Sequence, residues 1–178
     1  GKDYDAVFNK EHPPGFRWLH ESFGSNYRMT EMQAAIGRVQ LSKLEKWNEL
    51  RNRNAARLIG TLTQYSSLRV PVPGDDIRHA YYRLYAFVVP ENLRSGWSRD
   101  RIMSEINSLG IPCFVGSCPE IYNEKAFEKA GLKRDKPLPN AHALGLTSLA
   151  FLVHPTLTED DLERTCEAIS QVLGQATR

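Results

Sequence analysis

Over residues 31 to 64 the apolar positions fall at three- and four-residue steps: Leu41, Leu44, Trp47, Leu50, then Ala55, Leu58 and Leu62. That period predicts one long helix with an apolar stripe. Thr30 offers an N-cap hydroxyl, and Gln33, three residues on, completes a capping box that sets where the helix starts. At about 1.5 Å per residue such a helix reaches on the order of 50 Å, enough to bridge two parts of a structure. Lys46, Arg53 and Arg57 fall on another face, and Glu49 stands four residues before Arg53, the favourable orientation for an intrahelical pair. The run Arg51-Asn52-Arg53-Asn54-Ala55-Ala56-Arg57 reads as a solvated face, because acids are interleaved and no aromatic platform for stacking bases accompanies it.

Beyond the helix the period shortens. Leu68 to Val72 is a short strand candidate ended by Pro71 and Pro73, and Gly74-Asp75-Asp76 is a turn. From Ala80 to Val89, Tyr82, Leu84, Ala86 and Val88 alternate with Tyr81, Arg83, Tyr85, Phe87 and Val89. This is the clearest strand, largely apolar on both faces, and its aromatics read as core. Ser98 caps a helix through Leu109, with Ile102, Met103, Ile106 and Leu109 inward and Gly110 as terminator. Ile111 to Val115 reads as a strand, its start at an edge because of Pro112. A loop, Gly116-Ser117-Cys118-Pro119, precedes a helix over Glu120 to Ala130 closed by Gly131. Pro139 to Leu144 is a short helix and Ser148 to Val153 a strand. Thr158 caps the last helix, with Glu159, Asp160 and Asp161 in its first turn and Leu162, Cys166, Ile169 and Leu173 as core stripe. This order predicts an α/β (α+β) chain: a long linking helix, then a small mixed sheet with helices packed on one face. It lacks the strict alternation and Gly-rich turn of a dinucleotide fold.

Residues 1 to 25 break the pattern. Pro13-Pro14-Gly15 blocks regular structure beside Phe8, Phe16, Trp18 and Phe23, aromatics that need a surface to cover them. The start, Gly1-Lys2-Asp3-Tyr4, shows no initiator Met, capping signal or signal-peptide pattern, and reads as the interior of a longer polypeptide.

Composition narrows the class. A chain of 178 residues, 41% hydrophobic and 25% charged, suits one substantial globular core. The formal charge of +2 is too small to argue for nucleic acid or an anionic membrane. No apolar run is long enough to span a bilayer. Three cysteines, an odd number, read as reduced thiols of a cytoplasmic protein rather than a disulfide framework. Cys113, Cys118, His142 and His154 lack zinc-ligand spacing, so no metal site is expected, and no Cys-His hydrolase signature accompanies them.

Candidate chemistry gathers just ahead of the long helix. Ser25, Asn26, Tyr27 and Arg28 form a short loop whose amide, phenol and guanidinium could bind an anion, aided by the positive helix end. The residues alone leave Asn26 a turn former or an anion donor, and Arg28 a surface ion pair or an anion ligand. The run Gly24-Ser25-Asn26-Tyr27-Arg28-Met29-Thr30-Glu31-Met32-Gln33-Ala34-Ala35-Ile36-Gly37-Arg38-Val39-Gln40-Leu41 resembles the segment G-x-N-Y-R-M-T-x-x-Q-A-A-I-G-x-x-Q-L of the DegT/DnrJ/StrS family of sugar aminotransferases. Further on, Ser148-Leu149-Ala150-Phe151-Leu152-Val153-His154-Pro155-Thr156-Leu157-Thr158 is similar to that family's closing strand, and Gly110 to Tyr122 to its preceding strand and loop.

The resemblance implies the C-terminal part of a pyridoxal-phosphate (PLP) enzyme of the aspartate-aminotransferase fold, with residues 1–29 an arm and cofactor-facing loop, 30–64 a linking helix, and 65–178 the small domain. It implies amino transfer, from glutamate, to a nucleotide-linked keto-sugar in polysaccharide or amino-sugar biosynthesis, by a homodimer with shared sites. The cofactor lysine, the acid at the pyridine nitrogen and the stacking group would lie upstream, so no catalytic residue is expected here and the chain alone is expected to be inactive. Carried over, Asn26 would donate to the cofactor phosphate in the partner's site, and Arg28 and Ser117 would meet the substrate, with Tyr27 a packing residue. Where many family members carry a His-Tyr pair, this chain has Gly116-Ser117-Cys118, which leaves the sugar's identity open. The competing expectations are a non-catalytic interaction or regulatory module, and a sugar dehydratase on the same scaffold.

Overall fold

The computed structural model describes residues 4–8 and 27–178; the expectations for Pro13-Pro14-Gly15, Phe16, Trp18, Phe23 and Gly24 to Asn26 lie outside them. The chain divides into two units, residues 1–42 and 43–178.

The first unit holds α1 (Tyr4–Phe8), whose two end rings lie 4.8 Å apart, and the opening of α2 (Glu31–Leu62). The capping box forms as predicted: the Gln33 amide N–H donates to Thr30 Oγ1 at 3.3 Å, and the Thr30 N–H donates to Gln33 Oε1 at 3.0 Å. The apolar stripe is not buried along its whole length. Leu41 is 69% exposed and Leu44 46%, whereas Ala55, Leu58 and Leu62 are completely buried. Periodicity states which face is apolar; it does not state that this chain covers it.

The second unit is a four-stranded sheet with helices. After β1 (Leu68–Arg69) and β2 (Leu84–Val88) come a 3-10 turn (Pro90–Asn92), α3 (Arg99–Ser108) and β3 (Cys113–Phe114). A second 3-10 turn (Ile121–Asn123), α4 (Lys125–Lys129), α5 (Pro139–Thr147), β4 (Ser148–Phe151) and α6 (Glu159–Ala176) complete it. The strand order is β1-β2-β4-β3 and every pairing is antiparallel, with Leu84 opposite Phe151 and Cys113 also opposite Phe151. The expected mixed sheet is therefore corrected. β2, α3 and β3 do form a crossover between strands running the same way, but β4 inserts between them, so no parallel pair is hydrogen-bonded.

The register sorts the two faces. Leu84, Ala86, Val88, Leu149 and Phe151 share one core with Ala55, Leu58 and Leu62 of α2, Ile102 and Ile106 of α3, and Ile169, Val172 and Leu173 of α6. Helices thus cover that face, as expected. Side chains of this size each stabilise by about 1.5–3 kcal/mol when fully buried. The opposite face carries Tyr85, Phe87 and Phe114; guanidinium groups of Arg69 and Arg83 lie over Phe87 (4.5 Å) and Phe114 (4.8 Å).

Caps appear where the sequence places them. Ser98 accepts from the Arg101 N–H, and Thr158 with Asp161 forms a full capping box. Gly110 and Gly131 take positive φ after their helices. The strands β1, β3 and β4 are shorter than the sequence predicts, and three further readings differ. Residues 80 to 83 are not strand: Tyr81 has φ 41°, its N–H donates to His79 Nδ1 and its carbonyl accepts from Arg51. The helix expected over Glu120 to Ala130 splits into the second 3-10 turn and α4. Leu109, expected inward, is exposed.

The basic run of α2 is solvated at Arg53, Ala56 and Arg57, as expected, but Arg51, Asn52 and Asn54 are engaged with the rest of the unit. Arg51 and Asn52 donate to the carbonyls of Tyr81 and His79, and Asn54 to that of His154 at 3.1 Å. Arg53 pairs with Glu159 of α6 at 3.1 Å, and Arg57 with Glu159 and Glu163.

Candidate functional site

Two loops carry the residues singled out from sequence, one in each unit. In the first, Tyr27, Arg28, Met29 and Gln33 line an open depression of about 420 Å³ beside the capped start of α2. Thr30 ends the extended approach and turns the chain into the helix, which holds Arg28 two residues outside the first turn. Tyr27 is 92% exposed in the single chain. Asn26 lies outside the described residues.

The second loop leaves β3. Gly116 has φ 88°, a backbone state that favours glycine, and a Cβ there would lie 2.5 Å from Tyr85 Cε1. Ser117 and Cys118 follow, both exposed. Ser148 Oγ donates to the Val115 carbonyl at 2.7 Å, tying the root of the loop to the start of β4. Pro119 fills the space above Gly145 of α5, where a Cβ would lie 2.5 Å from Pro119 Cγ. Arg99 holds the end of α5 by donating to the Gly145 and Ser148 carbonyls.

Next comes a polar knot. Glu120 accepts from the Tyr122 hydroxyl at 2.5 Å and pairs with His142 Nδ1 of α5 at 3.0 Å. The Tyr122 oxygen in turn accepts the Leu138 N–H at 3.0 Å. These bonds, Tyr122 first and His142 second, hold the Glu120 carboxyl below its ordinary range. An ionised carboxylate only accepts, so His142 Nδ1 carries a proton in this pair. Burial, then Glu120, pushes the Tyr122 phenol up. Sequence reasoning missed this knot: Glu120 and His142 are 22 positions apart with no shared period. Beside the loop, Tyr85, Tyr81, His79, Arg83, Pro71 and Pro73 help to wall a cavity of about 220 Å³.

Burial pushes the Cys113 thiol up to about 12. Among the described residues no group of three His, Cys, Asp or Glu could hold a metal ion, and no helix is long and apolar enough to cross a membrane.

Comparison with known proteins gives a consistent set of matches. The sequence profile of the DegT/DnrJ/EryC1/StrS aminotransferase family matches residues 8–170. A GDP-perosamine synthase of Caulobacter vibrioides is 30% identical over 162 residues, 90% of this chain and 42% of that protein. The spore coat polysaccharide biosynthesis protein SpsC of Bacillus subtilis is 26% identical over 174 residues, 96% of this chain and 44% of that protein. The crystal structure of an aminotransferase from Psychrobacter cryohalolentis superposes with a TM-score of 0.81 at 49% identity, covering 98% of this chain and 46% of that one. The chain therefore spans less than half the length of each of these relatives.

Proposed function

The chain belongs to the DegT/DnrJ/EryC1/StrS aminotransferase family, and from that premise we propose that it is the C-terminal part of a pyridoxal-phosphate-dependent enzyme that moves an amino group from glutamate to a nucleotide-linked keto-sugar. The product would serve surface polysaccharide or amino-sugar biosynthesis in the cytoplasm. The observation that carries this reading is the match to the Psychrobacter enzyme: 49% identity across 98% of this chain, set against only 46% of that one.

Such chemistry needs a lysine to hold the cofactor, and that group belongs in an enclosed, partly desolvated site. The six described lysines, at 43, 46, 125, 129, 133 and 136, are all exposed. The family resemblance assigns the anchoring lysine to the part of the enzyme upstream, and on this reading the chain alone is inactive. When bound, the cofactor supplies the electron sink for the transfer. This chain's own residues bind and orient. Residues 1–29 form the arm and cofactor-facing loop, 30–64 the linking helix, and 65–178 the small domain. Within a homodimer, Asn26 donates to the cofactor phosphate in the partner's site, and Arg28 offers a planar guanidinium to the phosphates of the sugar nucleotide. Ser117, exposed on a loop of small residues, presents a hydroxyl to the sugar and leaves room that a His-Tyr pair would fill.

The test is nitrogen transfer. The native polypeptide that contains this chain is incubated with glutamate labelled with ¹⁵N at its amino group and a nucleotide-linked keto-sugar. Label in the sugar supports the reading. A deoxygenated, unlabelled sugar would move the assignment to a dehydratase, and an unchanged sugar across a panel of nucleotide sugars would overturn it.

A further inference from the structure

From Val115 to Thr147 the chain runs through 33 residues with only short elements to hold it: a 3-10 turn, α4 and α5. A segment so lean in regular structure is held by side chains or it is loose. Here three contacts act in sequence along the loop that carries Ser117. Tyr85 closes over Gly116, Pro119 seats on Gly145, and Glu120 collects Tyr122 and His142. Glu120 is the member that joins the loop to both following elements. Its side chain is only 19% exposed, and both of its partners are hydrogen-bond donors. Because the Tyr122 oxygen also receives the Leu138 N–H, the single carboxylate connects residue 120, the 3-10 turn, the approach to α5 and α5 itself.

We infer that Glu120, with Tyr122 and His142 as its two donors, is a positioning residue that fixes the Gly116–Cys118 loop in the pose it presents to substrate. The inference rests on the reading that this loop faces the sugar nucleotide. Replacing Glu120 by Gln removes the charge and leaves one acceptor oxygen in place of two, so neither bond stays charge-assisted. That loss corresponds to about tenfold or more in the local opening equilibrium.

The experiment is amide hydrogen exchange on the native polypeptide that contains this chain, read at Leu138, whose N–H donates to the Tyr122 hydroxyl, and at Asn123 and Glu124 of the adjoining 3-10 turn. Glu120→Gln and His142→Ala are expected to exchange about tenfold faster there, while the β4 amides of Leu149 to Phe151 are unchanged. His142→Asn keeps an amide donor near the place of Nδ1 and is expected to restore protection. His142 is 48% exposed, so its replacement leaves the core intact even if the Glu120 variant does not fold. Unchanged exchange at Leu138 in His142→Ala would overturn the inference without touching the aminotransferase reading. In the native enzyme the same variants are expected to raise KM for the sugar nucleotide about tenfold, with kcat moved less. Faster exchange with an unaltered KM would keep the knot and overturn its service to substrate.

Discussion

Replacing Gly116 by Ala tests how tightly the Ser117 loop is seated. Two costs add. The first is backbone: at φ 88° an L side chain crowds its own carbonyl, a penalty of roughly 1–2 kcal/mol. The second is steric, since the new Cβ would lie 2.5 Å from Tyr85 Cε1 and 3.0 Å from its hydroxyl. These atoms are at the tip of a ring that can swing, so this part belongs at the low end of overpacking, about 1 kcal/mol. The sum, about 2–3 kcal/mol, is a large fraction of the 5–15 kcal/mol typical of a domain. With a urea slope of about 1–3 kcal/mol per molar, the denaturation midpoint should fall by on the order of 1 M. Gly145→Ala gives the contrast. Its Cβ meets Pro119 at the same 2.5 Å, but Gly145 lies within α5 at ordinary helical φ, and Ala gains up to about 1 kcal/mol in a helix. The backbone penalty is absent there, but the Pro119 ring cannot swing aside as the Tyr85 ring can, so the steric cost is about 1–3 kcal/mol, offset in part by the helix gain. Urea denaturation followed by far-UV circular dichroism measures both. A midpoint for Gly116→Ala within error of the parent would refute the reasoning.

Other expectations follow from the same packing. Leu58→Ala, which empties a fully buried site between α2 and the sheet, should cost about 2–5 kcal/mol in the same urea assay. Asn54→Ala removes the buried donor to the His154 carbonyl and should cost about 1–3 kcal/mol, with faster exchange around residues 153 to 157. Glu120 and Asp161 both have depressed folded pKa values, Asp161 chiefly through the Thr158 N–H and then its hydroxyl. Their stabilisation is full above the ordinary carboxylate range and is lost as pH falls through the lower folded values. Thermal melts from pH 6 to 3 should show this, and Asp161→Asn should flatten the slope. Cys113, buried and pushed up to about 12, should resist iodoacetamide at pH 8 under conditions that alkylate the exposed Cys118.

What the sequence made legible was local. Thr30 with Gln33, Ser98, and Thr158 with Asp161 are short-range signals, and all three cap helices as expected. The buried half of α2 and the stripe of α6 follow from period alone. The misses lie where distant partners decide. Alternation from Ala80 to Val89 promised a longer strand, but Arg51 of α2 and the His79 ring take the backbone groups of Tyr81 and turn it out of β geometry. The antiparallel sheet arises because β4, last in sequence, enters between β2 and β3. Asn52 and Asn54 looked like solvated helix residues, yet they hold carbonyls 27 and 100 positions away. The Glu120 knot has the same origin. The family was legible because the run from Gly24 to Leu41 is long and in order; the roles of Asn26, Arg28 and Ser117 rest on that likeness.

The central claim is tested most directly on the natural polypeptide, captured from cell extract with an antibody to this chain. The account predicts an intact mass more than twice that of the 178-residue chain, as expected from coverage of 42–46% of its relatives, and a visible absorption band bleached by borohydride. A natural product of this chain's own mass, colourless even beside candidate partner proteins, would contradict it.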